Sequence, residues 1–331
     1  MKIFIQRPWA ALLLTAVGIT VVHAQQGPAR TAGSYPERPI RFMVSFPPGG
    51  GADVFARILG QKLSESLGQQ VIIDNRAGAG GNIAAEIAAR AAPDGYTMLQ
   101  STVGHSINAS LVSKPTYDLI RDFSAVTQLA AVPFVLVVNP GVQAAGVKEL
   151  VALARSKPAT LNFASSGSGG PSHLAMELFK SATQISIEHV PYKGAGPASV
   201  DLVAGRVHLM FSAVSTVHPF TKAGKLRALG IGSLKRSVAA PEIPTIHESG
   251  YPGFEASTWY GVQVPAGTPQ PVIAALHAEI ARILRQPDTA ERLGAQGFDL
   301  VASTPEQFAA YVRAETVKWA EVVKKSGTRI D

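Results

Sequence analysis

The stretch Phe46-Pro47-Pro48-Gly49-Gly50-Gly51-Ala52-Asp53 separates an apolar run, Ile40 to Phe46, from a helical pattern, Val54 to Leu67. This order predicts a turn at the carboxyl end of the first strand of an α/β sheet. Three glycines let the backbone approach a ligand closely, and the next helix offers free N–H groups and its positive dipole end to an anion. The alternative is a turn in which the glycines serve backbone geometry alone.

The composition predicts a folded globular protein of about two domains, since the 331 residues are 46% hydrophobic and 16% charged. The absence of cysteine excludes disulfides, a thiol nucleophile, a thiolate metal site and a lipid-bearing cysteine. The formal net charge of +7 suits weak attraction of small anions. No basic cluster with interleaved aromatic residues is present, so no nucleic-acid partner is expected.

Residues 1–24 have the pattern of a secretory signal peptide. Lys2 and Arg7 precede an apolar run, and Val22 and Ala24 are the small residues that a signal peptidase accepts. The apolar run is too short for a stable membrane span, and no other stretch reaches the roughly 18 to 20 apolar residues that one needs. We therefore expect cleavage after Ala24 and a soluble periplasmic protein, since export without disulfides fits a bacterial periplasm.

Strand and helix patterns alternate in two separate series, which predicts two doubly wound sheets. The strand Trp259 to Val264 and the helices after it are too few for a third domain, so they are expected to return to the first sheet. This gives lobe 1 from residues 35–128 plus 252–331, and lobe 2 from residues 129–251. Residues 103–122 are predicted to be a loop. Ligands of open α/β sheets bind outside the carboxyl ends of the strands, so a cleft is expected between the lobes.

Two loops of the second lobe have the chemistry of an anion site. Ser165 to Ser172 lies between a strand and a helix, with Pro171 where a first helical residue belongs. Tyr192 to Gly196 follows the next strand and adds an aromatic ring and the cation of Lys193. The alternatives are serines that only cap the helix and a lysine that is only solvated.

Catalytic templates fit the sequence poorly. Ser168 lacks the glycine two positions earlier that a nucleophile elbow requires. The Gly49 and Gly78 turns lack the third glycine of the dinucleotide fingerprint, and no Walker lysine follows either. The eight histidines contain no pair at metal-ligand spacing; His105 and His173 fall near the expected cleft, where a capping or packing role is favoured. We therefore expect no enzyme, no cofactor and no metal.

Several motifs in a fixed order resemble those of the Bug-type periplasmic solute receptors of the tripartite tricarboxylate transporters. They extend over nearly the whole chain after residue 34. The matching segments are Tyr35 to Ile40, Pro47 to Gly50, Asn75 to Gly81, Pro93 to Tyr96, Tyr117-Asp118, Asp122-Phe123, Val190 to Gly194, Gly224 to Leu229 and Gly250 to Phe254.

The resemblance implies a two-lobed, type II periplasmic binding protein fold that closes on a small carboxylate. It implies that loop backbone groups and ordered waters hold the ligand more than charged side chains do. It also implies a monomer that delivers its ligand to a membrane permease of the tripartite type. The alternatives are a signalling receptor without a dedicated permease and a periplasmic enzyme. A DNA-binding regulator is disfavoured because a signal peptide stands where its helical unit would be.

The resemblance also indicates which residues bind the ligand. The loops carried over by motif are Phe46 to Asp53, Ser101 to His105, Ser165 to Ser172 and Tyr192 to Gly194. The candidate ligand-binding residues are Phe46, Pro48, Gly50, Gly51, Ala52, Asp53, Ser101, Thr102, His105, Ser166, Gly167, Ser168, Gly169, Ser172, Tyr192, Lys193, Gly194 and Ser212.

Ser212 departs from the family pattern, in which many members carry an aspartate or similar polar residue after the strand matching Val207 to Phe211. A carboxylate there could pair with a ligand ammonium group, whereas a serine offers a neutral hydrogen bond. We therefore expect a ligand with a carboxylate and no ammonium group, such as a dicarboxylate or an aromatic acid.

Overall fold

The computed structural model describes residues 35–158 and 160–329. The predicted signal peptide and its cleavage site lie outside these residues. The ten strands of the described chain are β1 Ile40–Val44, β2 Val71–Asn75, β3 Thr97–Thr102, β4 Phe123–Val138, β5 Asn162–Ser165, β6 Glu188–Pro191, β7 Leu209–Ala213, β8 Arg227–Ile231, β9 Ser257–Pro265 and β10 Asp299–Leu300. The ten α-helices are α1 Gly51–Leu67, α2 Asn82–Ala89, α3 Val103–Leu111, α4 Val147–Ser156, α5 Pro171–Thr183, α6 Ala195–Val203, α7 Val214–Lys222, α8 Gln270–Leu284, α9 Pro287–Gly294 and α10 Pro305–Ser326.

The strands form one continuous sheet with two halves, which share β4. In the first half the order is β2-β1-β3-β9-β4, and β10 pairs with the other edge of β4. In the second half β4 lies between β8 and β7, which is followed by β5 and β6. The prediction of an α/β fold is confirmed, with two differences: the two predicted sheets are halves of one sheet, and that sheet is mixed, because β9 runs antiparallel to both β3 and β4, and β4 runs antiparallel to β7.

Strand β4 changes neighbours in its middle, and this defines where the chain crosses between the halves. Residues up to Pro133 pair with β9, and residues from Phe134 onward pair with β7. The chain returns to the first half at Ala256, beside Phe134. The Phe134 N–H donates to the Ala256 carbonyl at 3.2 Å, and the Ala256 N–H donates to the Gly232 carbonyl at 2.7 Å. The crossing therefore consists of hydrogen-bonded extended backbone.

Each half of the sheet is covered by helices on both faces. In the first half, Phe55 and Leu59 of α1 pack on one face with α8, and Trp319 of α10 packs on the other face with α2 and α3. In the second half, Phe179 of α5 lies on one face and Leu202 of α6 on the other. Within the described residues, no helix is long and apolar enough to cross a membrane.

Two segments differ from the sequence-based predictions. The expected loop 103–122 contains α3, a helix that begins directly after β3. A capping box between Thr102 and His105 caps its N-terminus. Strand β7 does not end at Phe211, because Ser212 and Ala213 remain paired with Val135 and Phe134 of β4. Ser212 therefore lies inside a strand, not after one.

Candidate functional site

The glycine turn leads directly into α1, whose helix begins at Gly51 and takes Gly50 as its N-cap. Gly50 is extended, and a Cβ added there would meet only the Pro47 carbonyl oxygen, at 3.8 Å. Among residues 35–158 and 160–329, no side chain caps this helix. The first backbone N–H groups of α1 therefore lie in an open, exposed turn, where an anion can approach them.

Asp53 is one of the predicted ligand residues, and its carboxylate is directed inward. It accepts hydrogen bonds from the Gly49 N–H at 2.9 Å, from Asn75 Nδ2 at 2.9 Å and from Arg57 Nε at 2.8 Å. Burial opposes ionisation, but these hydrogen bonds and the Arg57 charge outweigh it and hold the pKa of Asp53 below its ordinary value. Asp53 therefore fixes the turn, and its charge is balanced by Arg57.

The loop after β3 is held by His105, which is fully buried. Its Nδ1 atom accepts a hydrogen bond from the Thr102 backbone N–H at 3.0 Å, and its Nε2 atom lies 3.1 Å from Ser45 Oγ. A Cβ added to Gly81 would lie 3.0 Å from Nε2, so the second glycine-rich turn packs directly on the ring. Burial lowers the pKa of His105 to about 4, so the ring is neutral. One side chain thus links three loops.

The loop after β5 has its own internal hydrogen bonds. The Ser166 N–H donates to Ser172 Oγ at 3.0 Å, and the Gly169 N–H donates to His173 Nδ1 at 3.0 Å. Ser165 is fully buried at the start of the loop, and its Oγ atom lies 2.6 Å from Nε2 of His189. These contacts leave Ser168 exposed at the tip of the loop.

His173 is part of a stack of rings behind this loop. Its ring centroid lies 3.9 Å from that of His189, which in turn lies 4.7 Å from that of Phe163. Burial and the nearby cation of Lys180 lower the pKa of His173 to about 4. Burial, with His173 as the next cause, lowers the pKa of His189 to the same range. Both rings are therefore neutral at physiological pH.

The loop after β6 lies against the previous one, since the Gly194 N–H donates to the Ser166 carbonyl at 3.1 Å. The Tyr192 hydroxyl donates to Asp201 at 2.8 Å, and Lys193 is exposed. Ser212 is 3% exposed within β7, one residue before Ala213.

The loops of the two halves meet at two points on the boundary between them. Leu174 of α5 packs in the same core cluster as Val103 and Ile107 of α3. Ala213, at the end of β7, packs against the cluster that contains Tyr260, whose hydroxyl would lie 3.3 Å from a Cβ added to Gly51. Helices α3 and α5, and the end of β7 and the start of α1, therefore meet at the boundary between the halves.

The candidate residues differ in accessibility. Exposed residues are Pro48, Gly50, Gly51, Ser168 and Lys193, and half-buried ones are Phe46, Ser166, Gly167, Tyr192 and Gly194. Buried ones are Ala52, Asp53, Ser101, Thr102, His105, Gly169, Ser172 and Ser212. The accessible groups are mostly backbone, hydroxyl and one lysine, a donor-rich set suited to an anion. Several buried members hold the loops in shape.

Sequence reasoning missed several residues that shape the loops, among them Asn75, Arg57 and Ser45. Asn75 bridges the Phe46 carbonyl and the Asp53 carboxylate at 3.0 and 2.9 Å. Its place in the Asn75 to Gly81 motif was the only available signal. Among the described residues, no three His, Asp or Glu side chains converge as a metal ion would require.

A groove of about 430 Å³ lies elsewhere, between the carboxyl-terminal ends of α5 and α10. Two glutamates and two lysines line it, Glu177, Glu321, Lys180 and Lys325, and the Lys180 ammonium group is 2.7 Å from Glu177. Helix carboxyl ends carry partial negative charge. The groove is thus a poorer place for an anion than the loops at the helix N-termini.

Comparisons with known proteins identify the family to which a chain with this fold and these loops belongs. The family model described as the tripartite tricarboxylate transporter family receptor matches residues 55–328. The chain belongs to this family, which confirms the resemblance seen in its motifs. The family consists of solute-binding receptors and not of enzymes.

Individual relatives agree with this assignment over nearly their whole length. Protein BugT of Bordetella pertussis is 39% identical over 320 residues, which cover 96% of this chain and 98% of BugT. The structure of Rhodopseudomonas palustris Rpa4515 with adipate is 36% identical, has a TM-score of 0.78, and covers 89% of this chain and 99% of its own. MatC of the same organism, with bound malate, is 32% identical with a TM-score of 0.74, and covers 87% of this chain and 100% of its own. The predicted fold class, a periplasmic binding-protein fold, is confirmed.

Proposed function

We propose that this protein is a periplasmic receptor that captures a small carboxylate between two lobes and delivers it to a membrane permease of the tripartite tricarboxylate type. The observation that carries the proposal is the open N-terminus of α1, with exposed Gly50 and Gly51, close to the boundary on which β7 converges. An anion there meets backbone N–H groups and the positive end of a helix dipole. In this proposal the lobes keep the bounds predicted from the sequence, residues 35–128 plus 252–331 for lobe 1 and 129–251 for lobe 2, and the chain crosses between them within a few residues of those bounds, at Phe134 and Ala256.

The chemistry of the loops favours a ligand without an ammonium group. The Asp53 carboxylate is already occupied by Arg57, Asn75 and the Gly49 N–H. The resemblance described above places an aspartate or similar polar residue in many family members where this chain has Ser212, which lies within β7 and supplies only a hydroxyl. Burying an ammonium group without a charged partner costs several kcal/mol, on the order of the penalty for an unpaired buried charge. Adipate and malate, which are bound in two similar proteins, are dicarboxylates; only adipate lacks any further polar substituent.

We expect the lobes to close on the ligand by rotation at the two crossings of the chain, at Phe134 and Ala256. Few backbone segments need to rotate for the lobes to move, and a ligand that touches both lobes favours the closed state by its differential affinity. Small-angle scattering should therefore give a smaller radius of gyration when adipate is bound.

Calorimetric titration of the mature protein with adipate, malate, succinate, benzoate, aspartate and glutamate tests the proposed ligand class. We expect at least one acid without an ammonium group to bind, and to bind more tightly than both amino acids. At 100 times its dissociation constant, that acid should stabilise the fold by about 2.7 kcal/mol. Tighter binding of aspartate or glutamate would refute the role given to Ser212, and no binding of any acid would refute the carboxylate class.

A further inference from the structure

Five helices among the described residues use their third residue to accept a hydrogen bond from the backbone just before the helix; in α1 this residue is Asp53, which accepts from the Gly49 N–H at 2.9 Å. In α10, Gln307 accepts from the Thr304 N–H at 3.0 Å, and in α4, Glu149 accepts from the Ala145 N–H at 2.5 Å. These are the Gln and Glu side chains usual at this position. In α3 and α5 the same position is occupied by His105 and His173.

The two histidines make the bonds that Gln307 and Glu149 make. His105 Nδ1 accepts from the Thr102 N–H, as Gln307 does from the N-cap residue of α10. His173 Nδ1 accepts from the Gly169 N–H, one residue before the N-cap, as Glu149 does in α4. Because a backbone N–H is always the donor, each Nδ1 must be unprotonated, and each neutral ring must carry its proton on Nε2.

The histidines occur at the helices whose N-termini belong to the predicted ligand loops. A glutamate at these positions would make the same hydrogen bond and would place a negative charge beside the first turn. A neutral imidazole makes the bond and leaves the positive dipole end uncancelled. In α1 the third residue, Asp53, is charged, and its negative charge is neutralised by Arg57, whose Nε atom lies 2.8 Å from the carboxylate.

Burial disfavours the charged form of both rings, and at His173 the Lys180 cation also disfavours it, whereas the Glu177 carboxylate favours it. His105 is enclosed by Ser45, Gly81 and Tyr117, with ring centroids of His105 and Tyr117 6.5 Å apart. His173 faces His189 in the stack, and Glu177 at 3.7 Å and Lys180 on its own helix. From α10, Glu321 and Lys325 line the groove that Glu177 and Lys180 share.

We propose that His105 and His173 are positioning residues, which hold the two ligand loops through an uncharged acceptor and so keep both helix N-termini attractive to a carboxylate. This inference rests on the proposed function for its effect on affinity. The protonation state predicted for the two rings does not depend on the proposed function. The effect on ligand affinity and the protonation state are therefore tested separately.

The affinity part is tested with the pair His173→Gln and His173→Glu, which differ in charge at the same acceptor position. Both variants are titrated with adipate and with malate at low salt. His173→Gln should bind each acid at least about tenfold more tightly than His173→Glu, because the introduced Glu carboxylate repels a ligand carboxylate several ångström away strongly enough to produce a difference of this size. Raising the salt concentration should narrow this difference, since screening weakens charge repulsion and leaves a purely structural defect unaffected. Glu149→Gln, at the third position of α4, is the matched control and should alter adipate affinity less than twofold.

Equal affinity of the two His173 variants, or a difference that does not respond to salt, would overturn the proposal. Should His173→Glu fail to fold, His173→Phe keeps a stacked ring without the acceptor and should bind adipate more weakly than His173→Gln; equal binding would again contradict it.

Nitrogen-15 spectra of the histidines in the wild-type protein test the ring states without any ligand. Both rings should be neutral with the proton on Nε2 at pH 7. A proton on Nδ1 of either ring would overturn the proposal even if adipate binds. If both rings have the expected state and neither adipate nor malate binds the wild type, the proposed ligand class fails and the positioning of the loops stands.

Discussion

The carboxylate of Asp53 lies 2.9 Å from the side-chain amide nitrogen of Asn75, and this contact ties the turn after β1 to the end of β2. Because the same Asn75 nitrogen also donates to the Phe46 carbonyl at 3.0 Å, the glycine turn is anchored at both ends. The turn is therefore a fixed structure whose open part is limited to a few backbone groups.

The first prediction concerns Asp53→Asn. This substitution replaces one carboxylate oxygen with an NH2 group, which is itself a donor and faces the donor groups of Gly49, Arg57 and Asn75. We expect a loss of about 1–3 kcal/mol in the free energy of unfolding at pH 7, measured with urea. The lowered pKa of Asp53 means that its contribution is present above the ordinary aspartate value of about 3.9 and is lost as the pH falls through the folded value. The difference from wild type should therefore shrink at acidic pH. The exposed Glu242 gives the control, Glu242→Gln, and an Asp53→Asn effect equal to it would contradict the anchoring role.

The second prediction separates ligand contact from helix capping at Gly50. Gly50 and Gly146 are both extended N-cap residues, of α1 and α4, so replacing either with valine should cost a similar amount of helix stability, about 1 kcal/mol. Only Gly50→Val should also weaken adipate binding, by about tenfold or more, because its side chain occupies the approach to the free N–H groups. Melting curves and titrations of both variants decide this, and similar affinities for adipate would mean that the turn does not touch the ligand.

The third prediction is a pH dependence that comes from His105. Its pKa is lowered to about 4 in the folded protein, whereas an unfolded histidine has a value of about 6.5. As the pH falls from about 6.5 towards 4, the unfolded chain binds a proton that the folded protein does not, and stability is lost in this window. In His105→Gln the free energy of unfolding should fall less steeply between these pH values. Replacing the exposed His247 with glutamine is the control, and an unchanged slope in His105→Gln would show that the ring is not held neutral.

The fourth prediction concerns the crossing between the halves. A Cβ added to Gly232 would overlap the Ala256 carbonyl oxygen, which belongs to the returning backbone. We expect Gly232→Ala to lose about 1–3 kcal/mol in urea unfolding, as for other cases of overpacking. Gly294→Ala in α9, where nothing lies within 4 Å of the added Cβ, should be neutral or stabilising. If Gly232→Ala were as stable as the wild type, the backbone at the crossing would be less tightly packed than in the structure.

Much of the fold could be predicted from the sequence, because long amphipathic helices such as α10 and apolar strands such as β4 have strong periodicity. Helix α3 was missed because Gly104 and the small polar residues Ser106 and Asn108 weaken its pattern, and because its capping partner is a histidine in place of the usual glutamate. Strand β10 was missed because two residues carry no periodicity, and its pairing with β4 is a tertiary effect.

The candidate site was predicted as a set of loops, and the sequence did not indicate the contacts that hold those loops. The motifs indicated the segments around Gly50, Thr102 and Ser166. That Asp53 is directed toward Asn75 depends on residues 22 apart in the chain, whose contact no local pattern encodes. The continuation of β7 through Ser212 likewise depends on its pairing with Val135.

The most direct measurement of the central claim is a two-dimensional amide spectrum of the nitrogen-15-labelled mature protein, titrated with adipate. The account predicts that the largest shifts fall on the backbone amides of Gly50, Gly51 and Ala52 in one half and of Gly167 to Gly169 in the other, with a single saturation curve. Shifts confined to one of these loops, or centred on Ser181 and Lys325 in the groove between α5 and α10, would contradict binding of a carboxylate between the two lobes.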